Sequence, residues 1–258
     1  MRSVLAAFGT AKPLPRPLRQ GRFTIEEMKQ KMPKVTPVSI QLKTVWGDTE
    51  IRHYAISRLT LAGNDDFKRE ADFIMDNDIT YCSTSPNDPA YADCFFKGAE
   101  DSSVKTWLGM KNDKVVLALT VRDDIHFQNK KGTQIYIGDC LQVLFSRTAT
   151  KGRWKFGFAL ANDGKIQTYC WNNPRSKNGK AVLTQIRTSI TRSEKNKETL
   201  YRIEFPAKEL GIAPGIPFRF NIQLNDNDGR CRVGYHSITE IRDDGKNDTG
   251  YPEITFAK

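Results

Sequence analysis

The chain has 258 residues, of which 38% are hydrophobic and 27% charged, and its formal net charge is +10. This composition excludes a chain that is disordered throughout, and no apolar stretch approaches the roughly 18–20 residues that a membrane-spanning helix needs. Residues 1–45 hold nine Lys and Arg against two Glu, which leaves 31 basic and 28 acidic residues in the remainder. Because that remainder is nearly neutral and has no RNA- or DNA-reading motif, we expect neither a nucleic-acid nor a membrane partner.

The first part of the chain divides into two predicted units. Residues 1–37 are basic and rich in proline, which prevents long regular elements and predicts an extension. Its opening is a poor signal peptide because Gly9 interrupts a short apolar patch, so either the protein stays inside the cell or the start is missing. Residues 38–64 predict a small accessory β unit with two strands around Gly47.

The main domain is predicted to span residues 65–258. It begins with a short amphipathic helix or an extended lead-in, and after Thr80 it becomes a succession of short strand-like runs separated by turn signals. The run KVVLALTV is apolar on both faces and predicts a central strand. We therefore predict an all-β domain, an antiparallel β-sandwich of the jelly-roll-like kind.

The run PFRFNIQLNDNDGRCRV predicts a strand that continues into an Asn- and Asp-rich hairpin turn. Its residues alternate with a period of two, which predicts one buried and one displayed face. The predicted buried residues are Phe218, Phe220, Ile222 and Leu224, and the predicted displayed residues are Arg219, Asn221, Gln223 and Asn225.

Four runs between Thr80 and Phe256 resemble carbohydrate-binding module family 9: LALTVRDDIHF, YIGDCLQVLFS, YRIEFPAKELGIAPG and, most specifically, FNIQLNDND. The resemblance implies a β-sandwich that binds an oligo- or polysaccharide and is attached to, or works with, a glycoside hydrolase. It also implies a secreted or cell-envelope location. Members of this family bind a terminal sugar between two aromatic rings, while charged and amide groups form hydrogen bonds with the sugar hydroxyls.

The resemblance also implies particular site residues. Tyr136 falls where one ring is found, and Gln142 falls where a carboxylate commonly reaches a hydroxyl. Gly157 stands where an Arg is often present. The second ring is expected after CRVGYHSIT, but residues 240–247 contain no aromatic side chain, and the next one is Tyr251.

The run KIQTYCWNN offers a replacement for the missing ring. Tyr169 and Trp171 fall on one face, and Asn172 follows directly. An aromatic ring, a hydrogen-bond donor and a hydrogen-bond acceptor are therefore close together in the sequence. The alternative is that Trp171 packs at the sandwich edge without a ligand. Trp107 and Trp154 are predicted to be structural.

The sequence does not support an enzyme. It contains no GxSxG, HExxH or phosphate-binding loop, and no nucleophile stands with a base. His53, His126 and His236 are better explained as surface or satisfied side chains. The acid pairs at 123–124 and 226–228 could serve a glycosidase, but turns collect Asp for conformational reasons.

Calcium is the one metal that the residues favour, because Asp and Asn oxygens in sandwich loops are hard ligands. Asn225, Asp226 and Asp228 are the predicted ligands, with Asp243 and Asp244 as a second set. A solvated turn without a metal is the favoured explanation of these residues, and a calcium site is the alternative. The five cysteines include no CxxC pair, which disfavours zinc.

Three hypotheses about the function stay open at this stage. The favoured hypothesis is a non-catalytic, glycan-binding sandwich, and its competitor is a structural or interaction sandwich that has lost the sugar site. Related sandwiches that hold haem b through a Met and a His give a third alternative, for which Met110 and His236 are the candidates.

Overall fold

The computed structural model describes residues 39–43, 49–53, 55–56, 70–76, 79–81, 96–147, 152–174, 177–229, 232–239 and 251–256. The predicted extension 1–37, residues 240–250 and Trp46 lie outside this part of the chain. The described residues form two large antiparallel sheets and a separate hairpin, with little helix. The prediction of an all-β antiparallel sandwich is confirmed.

The strands are numbered in chain order. The first seven are β1 (Ser39–Lys43), β2 (Thr49–His53), β3 (Ala55–Ile56), β4 (Phe73–Met75), β5 (Thr80–Tyr81), β6 (Ser102–Lys111) and β7 (Lys114–Asp123). The others are β8 (Cys140–Arg147), β9 (Arg153–Leu160), β10 (Ile166–Asn172), β11 (Arg187–Ser193), β12 (Glu198–Pro206), β13 (Phe218–Asn227), β14 (Arg232–Ser237) and β15 (Glu253–Phe256).

The smaller sheet has five strands in the order β11-β12-β7-β6-β4. KVVLALTV lies in β7, at the centre of this order, as its two apolar faces predict. β6 and β7 form a hairpin that turns at Asn112, whose φ of 53° is the left-handed conformation that Asn tolerates better than most residues. In the segment before Thr80, for which the sequence leaves helix and extended chain open, residues 73–75 form the edge strand β4 and are extended.

The larger sheet has eight strands, six of which follow the order β10-β9-β8-β13-β14-β5. β14 and β15 pair with opposite ends of β13, and β3 pairs in parallel with β15. β1 and β2 pair with each other, and the predicted turn at Gly47 lies outside the described residues. β13 thus pairs with three described strands of the larger sheet, β8, β14 and β15.

Within the described part of the chain, three short helical segments connect the strands. They are a 3₁₀ helix (Gly132–Ile137), α1 (Gly179–Leu183) and α2 (Ala207–Leu210). The run AVLTQIRTSITR, which alternates like a single strand, is divided between α1 and β11 because Asn178 caps the helix by accepting from the backbone N–H groups of Lys180 and Ala181. Local capping overrides the strand pattern here.

The core lies between the two sheets and is built around phenylalanine rings. Phe145 contacts Phe205 of the opposite sheet, with 5.0 Å between ring centroids, and Phe220 of the neighbouring strand at 5.4 Å. Trp154 is buried in the same core and stacks on Phe156. Its predicted structural role agrees with this position, and Trp107 is likewise buried, on the other face of the smaller sheet.

No helix among the described residues is long and apolar enough to cross a membrane.

Candidate functional site

The outward face of the larger sheet carries a row of polar residues across five strands. Cross-strand pairing aligns Tyr169, Gly157, Gln142, Gln223 and Ser237 in that order from β10 to β14. Their neighbours along each strand belong to the core, so alternation directs this row away from the smaller sheet. Two of the predicted site residues, Tyr169 and Gln142, therefore lie on one surface of the protein.

The amides of this face are buried, although the sequence pattern predicts that they are displayed. Gln142 is 2% exposed and Asn221 is fully buried. Asn225 joins two parts of the face, since it accepts a hydrogen bond from Gln223 and donates one to the carbonyl of Tyr136 at 2.7 Å. The alternation correctly gives the direction of these side chains, but other segments cover them.

The 3₁₀ helix is the described segment that covers one end of this face. Its Ile135 is buried against Cys140 and Ala159 of the sheet, and Gln128 donates from its amide to the carbonyls of Ile135 and Asp139. Asn227 of β13 donates to the carbonyl of Ile137 at 2.7 Å. These bonds fix the short helix on the sheet and thereby determine where Tyr136 stands.

Trp171 lies on the same face, over Gly157. A Cβ atom added at Gly157 would overlap the six-membered ring of the indole, so only glycine leaves room for the ring in this position. The indole N–H donates to the carbonyl of Thr133 at 3.0 Å, and the ammonium of Lys155 stands 5.9 Å from the ring centroid. Where the family often has an Arg, this chain places an indole ring.

Tyr136 and Trp171 form a pair. Their ring centroids are 6.2 Å apart and the planes meet at 76°, while Tyr169 approaches Trp171 from another side at 5.6 Å. Tyr136 is 39% exposed and the other two rings are half-buried. The structure thus brings together the three aromatic residues that are predicted from the sequence as site residues. Tyr136, Tyr169 and Trp171 form one aromatic cluster.

Asn172 and Tyr251 lie beside this cluster without joining it. With its amide oxygen directed at Arg153, Asn172 accepts from the guanidinium Nε at 3.2 Å. Arg153 also donates to the hydroxyl of Tyr251, which is buried against Leu144. Tyr251 is therefore packed on the outward face and does not supply an exposed second ring.

A second polar region is buried at the end of the sandwich, around His126. Its Nδ1 is 3.1 Å from Asp139 and 3.6 Å from Asp123, and its Nε2 is 2.8 Å from the carbonyl of Leu160. Both ring nitrogens face acceptors only, so His126 is an imidazolium that donates from each nitrogen. Burial, the largest effect, lowers the pKa of His126, but hydrogen bonds to Asp123 and Asp139 raise it to about 10.

The charges in this cluster compensate one another. Arg192 contacts Asp123 at 3.4 Å, so two cations face two carboxylates. Burial raises the pKa of Asp139 to about 7, against the hydrogen bond from His126 that lowers it. The neighbouring Asp226 has a buried oxygen without a partner, and burial followed by repulsion from Asp139 raises its pKa to about 9. A small cavity separates these groups.

The three residues predicted as calcium ligands do not converge. Asn225 points to the outward face, where it bonds to Tyr136 and Gln223, whereas Asp226 points inward to the cavity beside Asp139. Asp228 lies beyond β13, on the turn to β14, and groups with Asp101 and Asp124 instead. Asn225 and Asp226 are neighbours in β13, so their side chains point to opposite faces of the sheet. The sequence pattern does not show that Asp228 lies near Asp101 and Asp124.

The two candidate haem ligands, Met110 and His236, lie too far apart to bind one haem. His236 lies 3.1 Å from the hydroxyl of Ser102, at the start of β6, whereas Met110 is near the end of the same strand. Eight residues of extended strand separate these positions by about 26 Å. Cys140 and Cys170 are free thiols, while Cys82, Cys94 and Cys231 lie outside the described residues.

Two sheets around an aromatic core, with amides and aromatic rings on one outward face, define an antiparallel β-sandwich. Among solved structures, the chain is similar to a carbohydrate-binding module of family 9 from Caldicellulosiruptor kristjanssonii in complex with cellotriose. The identity is 12% and the TM-score 0.51, over 79% of this chain and 92% of that one. A complex of a family 9 module from the same organism with glucose gives 11% identity and a TM-score of 0.48, over 72% and 85%.

No protein-family profile matches the chain, and no curated protein matches its sequence. At 12% identity, the structural likeness establishes that this chain has the fold of the family 9 modules. The resemblance seen in the sequence is confirmed at the level of the fold.

Proposed function

We propose that this protein is a non-catalytic carbohydrate-binding domain that recognises a glycan or a terminal sugar. The observation that carries the proposal is the aromatic cluster of Tyr136, Tyr169 and Trp171 on the amide-lined face of the sandwich. Sugar rings stack on aromatic faces through their axial C–H groups, and amides bond the hydroxyls. The structurally similar family 9 module that was solved with cellotriose supports this choice of ligand.

The absence of catalysis belongs to the same proposal. The His126 cluster is the described group that most resembles catalytic machinery, because it combines an imidazole with carboxylates. However, both nitrogens of His126 are occupied by hydrogen bonds, and its side chain is 8% exposed. A glycoside hydrolase that is fused to the domain or associated with it would supply the chemistry.

One observation favours the alternative of a structural sandwich that has lost its sugar site. The indole of Trp171 rests on Gly157 with its N–H already bonded to Thr133, so part of the ring serves packing. The exposed ring of Tyr136 still offers a surface beside it. Binding by such a partly covered platform would be shallow and weak.

The test is calorimetry of the full chain with glucose, cellotriose and a panel of other oligosaccharides. We expect saturable binding of at least one sugar, and Trp171→Ala should weaken it by about tenfold or more, because a central aromatic contact is lost. Tyr136→Ala should weaken it as well. The matched control is Ile166→Ala, which removes an exposed apolar side chain from the other end of β10.

Binding that survives in Ile166→Ala and is lost in Trp171→Ala supports the proposal. If the wild-type chain binds no sugar in the panel, the structural alternative replaces it. Equal binding by wild type and Trp171→Ala would contradict the assigned site even though the protein binds sugar.

A further inference from the structure

The charged residues of the main domain are unevenly distributed along the chain. Residues 141–190, which include β8, β9, β10 and α1, hold nine Lys and Arg, and Asp163 is their one acidic residue. The near neutrality of the chain after residue 45 therefore conceals a strongly basic segment. Because β8, β9 and β10 are neighbours at one side of the larger sheet, the strands of this segment lie beside the aromatic cluster.

Two lysines adjoin the aromatic cluster at the start of the 3₁₀ helix. The carbonyl of Lys130 accepts a hydrogen bond at 2.9 Å from the side-chain amide of Gln167, which lies two positions before the cluster in β10. Lys130 is half-buried, and Lys131, the next residue, is exposed. Two residues further on, Thr133 accepts from the indole of Trp171. In the part of the chain that the structure describes, the ammonium groups of these two lysines form no ion pair.

Two more cations lie on the same outward face, in β9. The ammonium of Lys155 is 5.9 Å from the centroid of the Trp171 ring, and Arg153 donates to the hydroxyl of Tyr251 and to Asn172. Both cationic side chains are more than nine-tenths buried. Because water screens buried charges less than exposed ones, these cations contribute to a positive potential around the aromatic cluster.

The described carboxylates nearest to the aromatic cluster are occupied elsewhere. Asp139 follows the 3₁₀ helix directly in the chain, but it is bonded to the buried ring of His126. Asp163, on the turn between β9 and β10, contacts the ammonium of Lys165 at 2.9 Å. Alternation directs Glu253 to the outward face, but it pairs with the start of β13, about 20 Å from the end that contacts the 3₁₀ helix. The described charged groups beside the aromatic rings are thus cations.

We propose that the aromatic cluster selects an anionic saccharide, whose sugar carries a carboxylate, as in a hexuronic acid, or a sulfate ester. This inference rests on the proposed function and specifies its ligand. The sugar ring would stack on the exposed ring of Tyr136, and its acidic group would meet the ammonium groups of Lys130 and Lys131. A charged acceptor forms stronger hydrogen bonds with an ammonium group than a neutral hydroxyl does.

The test is calorimetry of the full chain with pairs of sugars that differ only in the acidic group. The pairs are glucose with glucuronic acid, galactose with galacturonic acid, and cellotriose with its C6-oxidised form, and glucose 6-sulfate tests the sulfate ester. At about 50 mM NaCl, we expect an acidic sugar to bind at least about fivefold more tightly than its neutral counterpart. About 500 mM NaCl should remove most of this difference, because salt screens exposed charges.

Substitution of the two lysines tests the assigned cations. Lys131→Gln should weaken binding of the acidic sugar by about threefold more than binding of its neutral counterpart. Adding Lys130→Gln to the same chain should remove the preference for the acidic sugar. The matched control is Lys195→Gln, which removes an exposed ammonium group from the turn between β11 and β12 of the smaller sheet and should not change the preference.

Tighter binding of an acidic sugar that decreases with salt and with the two lysine substitutions supports the proposal, and the comparison with glucose 6-sulfate identifies the anion. Equal or tighter binding of the neutral sugars would overturn the proposal and leave the proposed function intact. A preference for acidic sugars that the double substitution retains would also overturn it, because the two lysines would then not be the groups that select the anion. If neither acidic nor neutral sugars bind, both this proposal and the proposed function fail.

Discussion

The two faces of the larger sheet are both buried, but by different means. Inward, Phe145, Phe156 and Phe220 pack against the smaller sheet and contribute through apolar area and ring contacts. Outward, Gln142 and Asn221 are as fully buried, yet each polar atom requires a hydrogen-bond partner. The inward face tolerates substitutions of similar volume, whereas the outward face depends on specific partners and on segments that arrive from elsewhere.

The largest effect is expected at the centre of the inward face. Phe145→Ala should lower the free energy of unfolding by about 3–5 kcal/mol, because it removes contacts with Phe205, Phe218 and Phe220 and leaves a cavity. Urea denaturation measures this change, with Ile166→Ala as the exposed apolar control. A loss under about 1 kcal/mol would mean that the core relaxes around the deletion. Sugar affinity of the folded variant should be unchanged.

A smaller effect, but on both stability and binding, is expected on the outward face. Gly157→Ala should cost about 1–3 kcal/mol, because the new methyl group overlaps the indole of Trp171 and forces it away from the sheet. The same substitution in a Trp171→Ala background should cost much less. Equal costs in both backgrounds, measured by urea denaturation, would show that the indole does not occupy the space over Gly157.

The smallest effect concerns Asp226, where the inward face changes from apolar to ionisable side chains. Its pKa is raised from 3.8 to about 9, so the folded state holds an extra proton between these values and stability falls as the pH rises through this window. Asp226→Asn should therefore raise the unfolding free energy at pH 8 by about 1–2 kcal/mol. It should also make the fall in stability between pH 5 and pH 8 less steep. Urea melts in EDTA at pH 5 and pH 8 measure it, with Asp163→Asn as the exposed control. A lower stability of Asp226→Asn at pH 8 would contradict this explanation.

Much of the fold could be predicted because the alternation of apolar and polar residues along a strand is visible in a short stretch of sequence. It gives the inward residues of β13 and the central place of β7 correctly, and turn residues mark most strand ends. Where a capping residue competes with alternation, as at Asn178, the pattern misleads. The pairing of β4 with β6 depends on tertiary contact, which explains why the segment before Thr80 stays ambiguous in sequence.

The candidate site could be predicted only in part. Tyr136, Tyr169 and Trp171 are recognisable as aromatic residues near polar ones, and the structure places them together. The contribution of Gly157 is hidden, because a glycine in a strand gives no indication of what it makes room for. The proximity of Asp101, Asp124 and Asp228 is hidden for a different reason: Asp228 is more than 100 positions from the other two, and only the fold of the sheets brings them together.

β13 contacts both the segment that carries Tyr136 and the buried charged groups around His126. Asn225 and Asn227 hold the carbonyls of Tyr136 and Ile137, and the next residue along the chain is Asp228. Asp226, between these two asparagines, faces the cavity beside Asp123 and Asp139. A substitution that displaces this end of β13 should therefore disturb both the position of Tyr136 and the packing of the buried carboxylates.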